Sequence, residues 1–273
     1  MQRTAFSVEV EGGTLVGSVG GEGRNVLLLH GGPGLSNYLD SLLPELDGCR
    51  VATYQQRGVD PSTARGPYDV DVQVADVVAV LAALGWERPT VLGHSWGGHL
   101  LLHLIASRPD RVAAALVVDP LGAVGDGGQA EFEAELERRT PAASRARAIE
   151  IDDRAMVGEA TDAELSESLR LLWPAYFADP VGAAPMPAID LSVEAYAGTF
   201  ESVAALLPGL ADRLRGCSVP TRFVHGEGSP MPVTASSDVA ELIGAEVDVV
   251  PGAGHFIWLE APGAVRSSLD RLS

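Results

Sequence analysis

Three short stretches carry residue types that could act together on a carbonyl. The first is residues 91–100, VLGHSWGGHL, with Ser95 set between Gly93 and Gly97. An apolar run precedes it and another follows, so a strand hands over to a helix there. A serine on so tight a turn needs neighbours two residues away that lack side chains, and its hydroxyl then stands clear of the sheet. The Trp96 N–H would open the helix and point to the same place, where it can stabilise an oxyanion. Ser95 is read as a nucleophile rather than as a plain turn residue.

The second stretch is HGGPG, His30 to Gly34, after a buried strand. Glycines there let the backbone approach a substrate oxygen closely and supply a second oxyanion donor. The third is VVPGAGHFIWLEAPG, which places His255 directly after the last expected strand. A serine hydroxyl is a poor nucleophile without a base, and His255 falls at the same sheet edge as Ser95. The other five of the six histidines compete less well. His30 and His94 belong to the loop and the turn. His99 and His103 sit i,i+4 on a helix that should pack on the sheet, without the H-E-x-x-H pattern of a zinc site. His225 ends a strand and is a minor rival.

The elements that must position these residues alternate. AFSVEVEGGTLVGSVGGEG reads as two strands around a Gly-Gly turn, and NVLLLH, CRVATYQ, PTVLGHS and RVAAALVVD as further strands. DVDVQVADVVAVLAALGW and WGGHLLLHLIAS have helical spacing. From about Gly122 to Gly216 the alternation stops and helix patterns dominate. One of them opens with Thr161 and Glu164 at the spacing of a capping box, and LSVEAYAGTFESVAALL is another amphipathic helix. Strand, helix, strand and helix then return through VPTRFVHGEG, TASSDVAELIG, AEVDVVPGAGH and APGAVRSSLDRL. The expected fold is α/β, a mostly parallel sheet with helices on both faces. The core is split into 1–121 and 217–273 by a helical insertion, 122–216. Loops at the carboxyl ends of parallel strands line the ligand crevice, so such an insertion is expected to roof it.

Composition narrows the partners. The formal net charge of -18 argues against nucleic acid or an anionic membrane. Hydrophobic content is 46% with 21% charged residues, which fits a globular chain. Cys49 and Cys217 lie far apart and are read as reduced thiols. No apolar leader or span of membrane length is visible, so the expectation is a soluble, cytoplasmic protein acting on a small molecule. Neither metal nor cofactor is required, and oligomeric state is left open.

HGGPG, then YQQRGVDPS, then GHSWGG, then VPGAGHF resemble the α/β-hydrolase superfamily, and within it the proline iminopeptidase-like group. The resemblance spans about two thirds of the chain. It implies an eight-stranded hydrolase fold with Ser95 and His255 as nucleophile and base, and an oxyanion hole from the N–H groups of Gly32 and Trp96. The chain departs from the group in three places. Gln55-Gln56-Arg57-Gly58 stands where the group has Asp-Gln-Arg-Gly. Ser229 stands where the group's catalytic aspartate is expected, three residues after Gly226. LLWPAYFADP lacks the glutamate of the group's Trp-x-x-Trp-Glu segment, which helps hold a substrate amine; Glu194 or Glu201 could take that part.

The acid that orients His255 must then lie elsewhere. Some members of the superfamily, certain lipases and dehalogenases among them, place it at the end of the sixth strand. Asp119 in ALVVDPLG matches that position. Glu227 is the alternative on the usual loop, and Asp238 a weaker third on a surface helix. The function expected is a serine hydrolase cleaving a small ester, lactone or amide through an acyl-enzyme. A transferring or cyclising enzyme differs only in what attacks that acyl group. A non-hydrolytic binding protein on the same fold is the other class.

Overall fold

A computed structural model describes residues 2–272. Eight strands form one sheet: β1 (Arg3–Val10), β2 (Gly13–Gly20), β3 (Arg24–Leu29), β4 (Cys49–Gln55), β5 (Thr90–His94), β6 (Ala114–Val118), β7 (Thr221–Gly226) and β8 (Glu246–Val250). Their order is β1-β2-β4-β3-β5-β6-β7-β8. Only the pairings of β2, with β1 and with β4, are antiparallel; β4, β3 and β5 to β8 run parallel. After β3 the chain moves to one side, to β4, and then returns past β3 to β5. Loops leaving β3 and β5 therefore part in opposite directions and open a crevice at their carboxyl ends.

The central strands are apolar on both faces, as a sheet covered on both sides requires. Leu27, Leu29, Val91, Ala115, Val117 and Phe223 face one core. It is closed by α1 (Val70–Ala83), α2 (Trp96–Ser107) and α7 (Thr234–Ile243). Val26, Leu28, Leu92, Leu116, Val118 and Val224 alternate with them and face the other core. That side is covered by a 3₁₀ turn, Leu39–Leu46, and by α8 (Ile257–Glu260) and α9 (Ala264–Asp270). No helix among the described residues is long and apolar enough to cross a membrane.

Between β6 and β7 lie α3 (Gln129–Arg139), α4 (Ala142–Met156), α5 (Asp162–Leu172) and α6 (Val193–Leu214), with two short 3₁₀ turns. Thr161 caps α5: its Oγ1 accepts from Glu164 N at 3.2 Å, and its own N–H donates to Glu164 Oε2 at 2.9 Å. The segment before α6 is tied to the loop after β3. Ser192 N donates to Gly34 O at 2.8 Å and Ser36 N to Asp190 O at 2.8 Å.

Three local details differ from the sequence reading. The helical pattern before Pro208 continues through it to Leu214, and Leu210 and Leu214 pack into the first core. Their burial outweighs the hydrogen bond that proline removes. The expected final helix is present as α9, starting after Gly263 at φ +91°, but the loop after His255 also holds a short helix, α8, that the sequence reading does not include. The 3₁₀ turn around Pro44 has no clear periodicity and went unread.

Behind the β1–β2 hairpin, Arg57 and Asp76 form a buried ion pair. Arg57 is 2% and Asp76 4% exposed. The pair is bidentate, with both contacts at 2.7 Å. The remaining donors reach the carbonyls of Arg65, Pro67 and Glu11. Removing one partner of such a pair strands a buried charge. Asp76→Ala is expected to cost about 3 kcal/mol or more, read from urea unfolding midpoints at constant slope.

Candidate active site

Every residue from Pro89 to Ile105 is buried except Ser95. The exception follows from backbone geometry. Ser95 sits at φ 56° and ψ -123°, a region that residues with side chains rarely occupy. Ser95 N donates to Val118 O at 2.9 Å and Ser95 O accepts from His99 N at 3.1 Å, which pins both ends of the turn. A side chain at Gly93 would place Cβ 2.2 Å from Gly97 O, and one at Gly97 would place it 2.1 Å from Leu29 O. Both glycines are obligatory because backbone passes backbone there.

Gly32, at φ +62°, lies across from this turn near the start of the loop after β3. Gly32, Ser95, Trp96 and His255 line one cavity of about 490 Å³. Among the described residues, neither the Gly32 nor the Trp96 N–H has an acceptor. Gln56 ties the two loops together: its Nε2 donates to His30 O at 2.9 Å, and its Oε1 accepts from Trp96 Nε1 at 2.9 Å.

Asp119 follows β6 directly, fully buried, also at positive φ. His255 Nδ1 donates to its Oδ2 at 2.5 Å. Ser229, which stands where the resemblance would put the acid, donates its hydroxyl to the same oxygen at 2.5 Å. Gly226 N donates to Oδ1 at 3.1 Å. Burial opposes the Asp119 charge, but His225, His255 and Ser229 outweigh it and hold the carboxyl below its ordinary range. Glu227 and Asp238 are exposed, and among the described residues no hydrogen bond of theirs reaches His255. His225 also approaches Asp119: its Nε2 is 3.3 Å from Asp119 Oδ1 and 2.9 Å from Met231 O. It does not line the cavity.

The backbone of His255 is held on both sides. Its N–H donates to Tyr176 O at 2.8 Å, and its carbonyl accepts from His94 Nε2 at 2.9 Å. Tyr38 donates its hydroxyl to His94 Nδ1 at 2.8 Å, which fixes the tautomer. His99 and His103 pair with each other at 3.2 Å between Nε2 atoms, and Arg213 reaches His103 Nδ1 at 3.1 Å. Among the described residues no group of three or more His, Cys, Asp or Glu is placed to hold a metal ion.

The rest of the cavity is largely apolar, with Phe132, Leu169, Trp173, Phe200 and Met231 on its walls. Carboxylates enter it from α3 and α4, as Glu133, Asp152 and Asp153. Burial pushes the Asp152 carboxyl up to about 6, against a hydrogen bond from Ser168 Oγ at 2.8 Å. Glu194 and Glu201 are exposed and do not line the cavity. Sequence reasoning missed Asp152, because one aspartate in a charged helix carries no signal until the fold turns it inward. It also missed Tyr38, Tyr176 and the link from Ser229 to Asp119.

Four buried histidines are expected to limit the stability of this structure in acid. Burial lowers His30 to about 4, His94 to about 3, His99 to about 4 and His103 to about 2. In the unfolded chain each titrates near about 6.5. Between those values the unfolded chain binds protons that the folded chain refuses, so stability is full above the unfolded value and falls below it. Each histidine costs about 1.4 kcal/mol per pH unit in that window. The four together are expected to bring unfolding near about pH 5, before most carboxylates titrate. Circular dichroism melts from about pH 7.5 to about pH 4.5 check this; a midpoint that stays level down to about pH 5 would refute it.

Comparison with known proteins agrees with this architecture. A proline iminopeptidase of Lactobacillus delbrueckii subsp. bulgaricus is 35% identical over 105 residues, 35% of this chain and 36% of that protein. Lipase LipV of Mycobacterium tuberculosis is 34% identical over 104 residues, 38% of this chain and 40% of that protein. The chain thus spans about two fifths of the length of the curated relatives it matches. A proline iminopeptidase-related protein of Thermus thermophilus superposes with TM-score 0.69 at 24% identity, over 100% of this chain and 97% of that one. The proline iminopeptidase of Mycobacterium smegmatis gives TM-score 0.69 at 22% identity, over 98% and 97%. At those identities the solved structures speak to fold. The family model described as alpha/beta hydrolase fold matches residues 24–262, and the chain belongs to that family.

Proposed function

We propose that this chain is a serine hydrolase that cleaves a small ester, lactone or amide through an acyl-enzyme on Ser95. The observation that carries the reading is the row from Asp119 through His255 to the cavity that Ser95 enters. With Nδ1 donating to Asp119, the Nε2 of His255 is left as the acceptor, on a residue that lines the same cavity as Ser95. That nitrogen takes the Ser95 proton as Oγ bonds to the substrate carbonyl carbon. The N–H groups of Gly32 and Trp96 are free to hold the resulting oxyanion. His255 then passes the proton to the leaving group as its bond to carbon breaks. Water attacks the acyl-enzyme by the same route in reverse and frees Ser95. Asp119 keeps its charge throughout and stabilises the imidazolium.

A substrate with a free amine, as the iminopeptidase resemblance implies, is supported by Asp152. It is the least exposed of three carboxylates in a largely apolar cavity, and Ser168 engages one of its two oxygens. An ammonium group there would gain a charge-assisted hydrogen bond and keep the carboxylate ionised. The carboxylate comes from α4 rather than from the Trp173–Ala178 stretch where the group's glutamate would stand.

Turnover of proline p-nitroanilide and of a p-nitrophenyl acyl ester separates these readings. Ser95→Ala is expected to abolish both, and Asp119→Asn to lower kcat by about 10³- to 10⁴-fold. Activity that survives Ser95→Ala, together with no labelling of Ser95 by a fluorophosphonate, would overturn the acyl-enzyme reading; silence of the wild type on both substrates with no labelling would point to the non-hydrolytic class. Asp152→Asn is expected to raise KM for the prolyl substrate about tenfold or more and to leave ester turnover within about twofold. Equal effects on both substrates would remove the amine reading and leave the ester or lactone one.

A further inference from the structure

One turn of the helical insertion, Tyr176–Ala178, is fastened to the loops that carry His255 and Ser229, by two side chains that do not line the cavity. Glu260, the last residue of α8, does the first part. Its Oε1 accepts from Ala178 N at 3.0 Å and its Oε2 from Gly254 N at 2.7 Å. One carboxylate therefore bridges the insertion and the residue just before His255. The two backbones touch directly there: a Cβ on Gly254 would lie 2.5 Å from Tyr176 O and 2.6 Å from Ala178 N. The adjacent bond, from His255 N to Tyr176 O, extends this pairing to the histidine itself. The Tyr176 ring lies 5.2 Å from the imidazole, centre to centre.

Arg139, at the end of α3, does the second part. Its Nη1 donates to Phe177 O at 3.1 Å and to Gly228 O at 2.6 Å, and its Nη2 to Ser229 O at 3.3 Å. Glu135 accepts from its Nε at 2.6 Å and sets its direction. Ser229 in turn donates to Asp119. The turn is thus clamped between the loop of the histidine and the loop that braces its carboxylate.

We infer that Glu260 is a positioning residue for His255, acting through the Gly254 and Ala178 amides and not through substrate. The inference rests on the serine hydrolase reading above. An imidazole that must accept from Ser95 and donate to Asp119 tolerates little displacement, because proton transfer needs both bonds in line. Only one side of that alignment is set by Asp119. The other is set by where the backbone of residues 254–255 lies, and Glu260 holds that backbone against the insertion. Without the carboxylate, two amide donors lose their acceptor, and the loop gains freedom to shift.

The test compares Glu260→Ala and Glu260→Gln with wild type, using a p-nitrophenyl ester in the full chain. Glu260→Ala is expected to lower kcat by about tenfold or more with KM within about threefold, because substrate does not touch Glu260. Glutamine keeps one acceptor oxygen, so its kcat should fall between the two. In an Asp119→Asn background, where the imidazole is already misoriented, the same change should cost less than about threefold, since groups acting as a unit are not additive. Amide exchange at Gly254 and Ala178 should speed up in both variants. If Glu260→Ala does not fold, Glu260→Gln carries the comparison. A kcat within about twofold of wild type, or an undiminished loss in the Asp119→Asn background, overturns the inference. Those results with Ser95→Ala inactive would sink the role of Glu260 alone. Hydrolysis that persists in Ser95→Ala would sink the serine hydrolase reading, and this inference with it.

Discussion

A fully buried carboxylate is the constraint around which this molecule is arranged. Asp119 lies at the end of the sixth strand with no exposed surface, where a lone charge would cost several kcal/mol. It is tolerated because four groups converge on it: the Ser229 hydroxyl, the Gly226 amide and the imidazoles of His225 and His255. Those four groups come from β7, from the loop after it and from the loop after β8. Satisfying one charge therefore fixes the relative positions of three strand ends. The histidine facing the cavity is one of the four, so neutralising the acid and orienting the imidazole are the same event.

The second constraint is steric. The turn at Ser95 exists only because Gly93 and Gly97 let backbone pass within about van der Waals contact of backbone. Strain of this kind costs on the order of 1–3 kcal/mol and persists where the surroundings over-determine it. Here the surroundings are the bond from Ser95 to β6, the helix that starts at Trp96, and the Gln56 bridge to the loop after β3. The result is a partly exposed serine at the centre of a buried stretch, beside two backbone N–H groups without acceptors among the described residues.

The insertion between β6 and β7 supplies much of the cavity wall and is also bonded to the loop that carries His255. Its last helix runs from the cavity wall at Tyr196 and Phe200 down to the core at Leu210 and Leu214. Its Tyr176–Ala178 turn is bonded to the His255 loop. Such an arrangement couples the shape of the pocket to the placement of the imidazole. It also puts Glu133, Asp152 and Asp153 into a largely apolar space, so that the carboxylates of the cavity come from the insertion.

Much of this was legible in the chain. The glycine spacing around Ser95 is a steric requirement written in adjacent residues. The alternation of strand and helix patterns fixes which loops share a sheet edge, and that brings His255 and the HGGPG loop to Ser95. The departure at Ser229 and the presence of Asp119 could be read as well, but not the reason they go together. Only the folded structure shows that the serine hydroxyl bonds the aspartate, because residues 119 and 229 meet through strand pairing rather than through any local pattern. Asp152, Glu260 and Arg139 were silent for the same cause. A charged residue on a helix has the same sequence signature whether it faces water, a cavity or two backbone amides. What a residue can do chemically was set by its type and its near neighbours; which groups it meets was decided by packing across the whole chain.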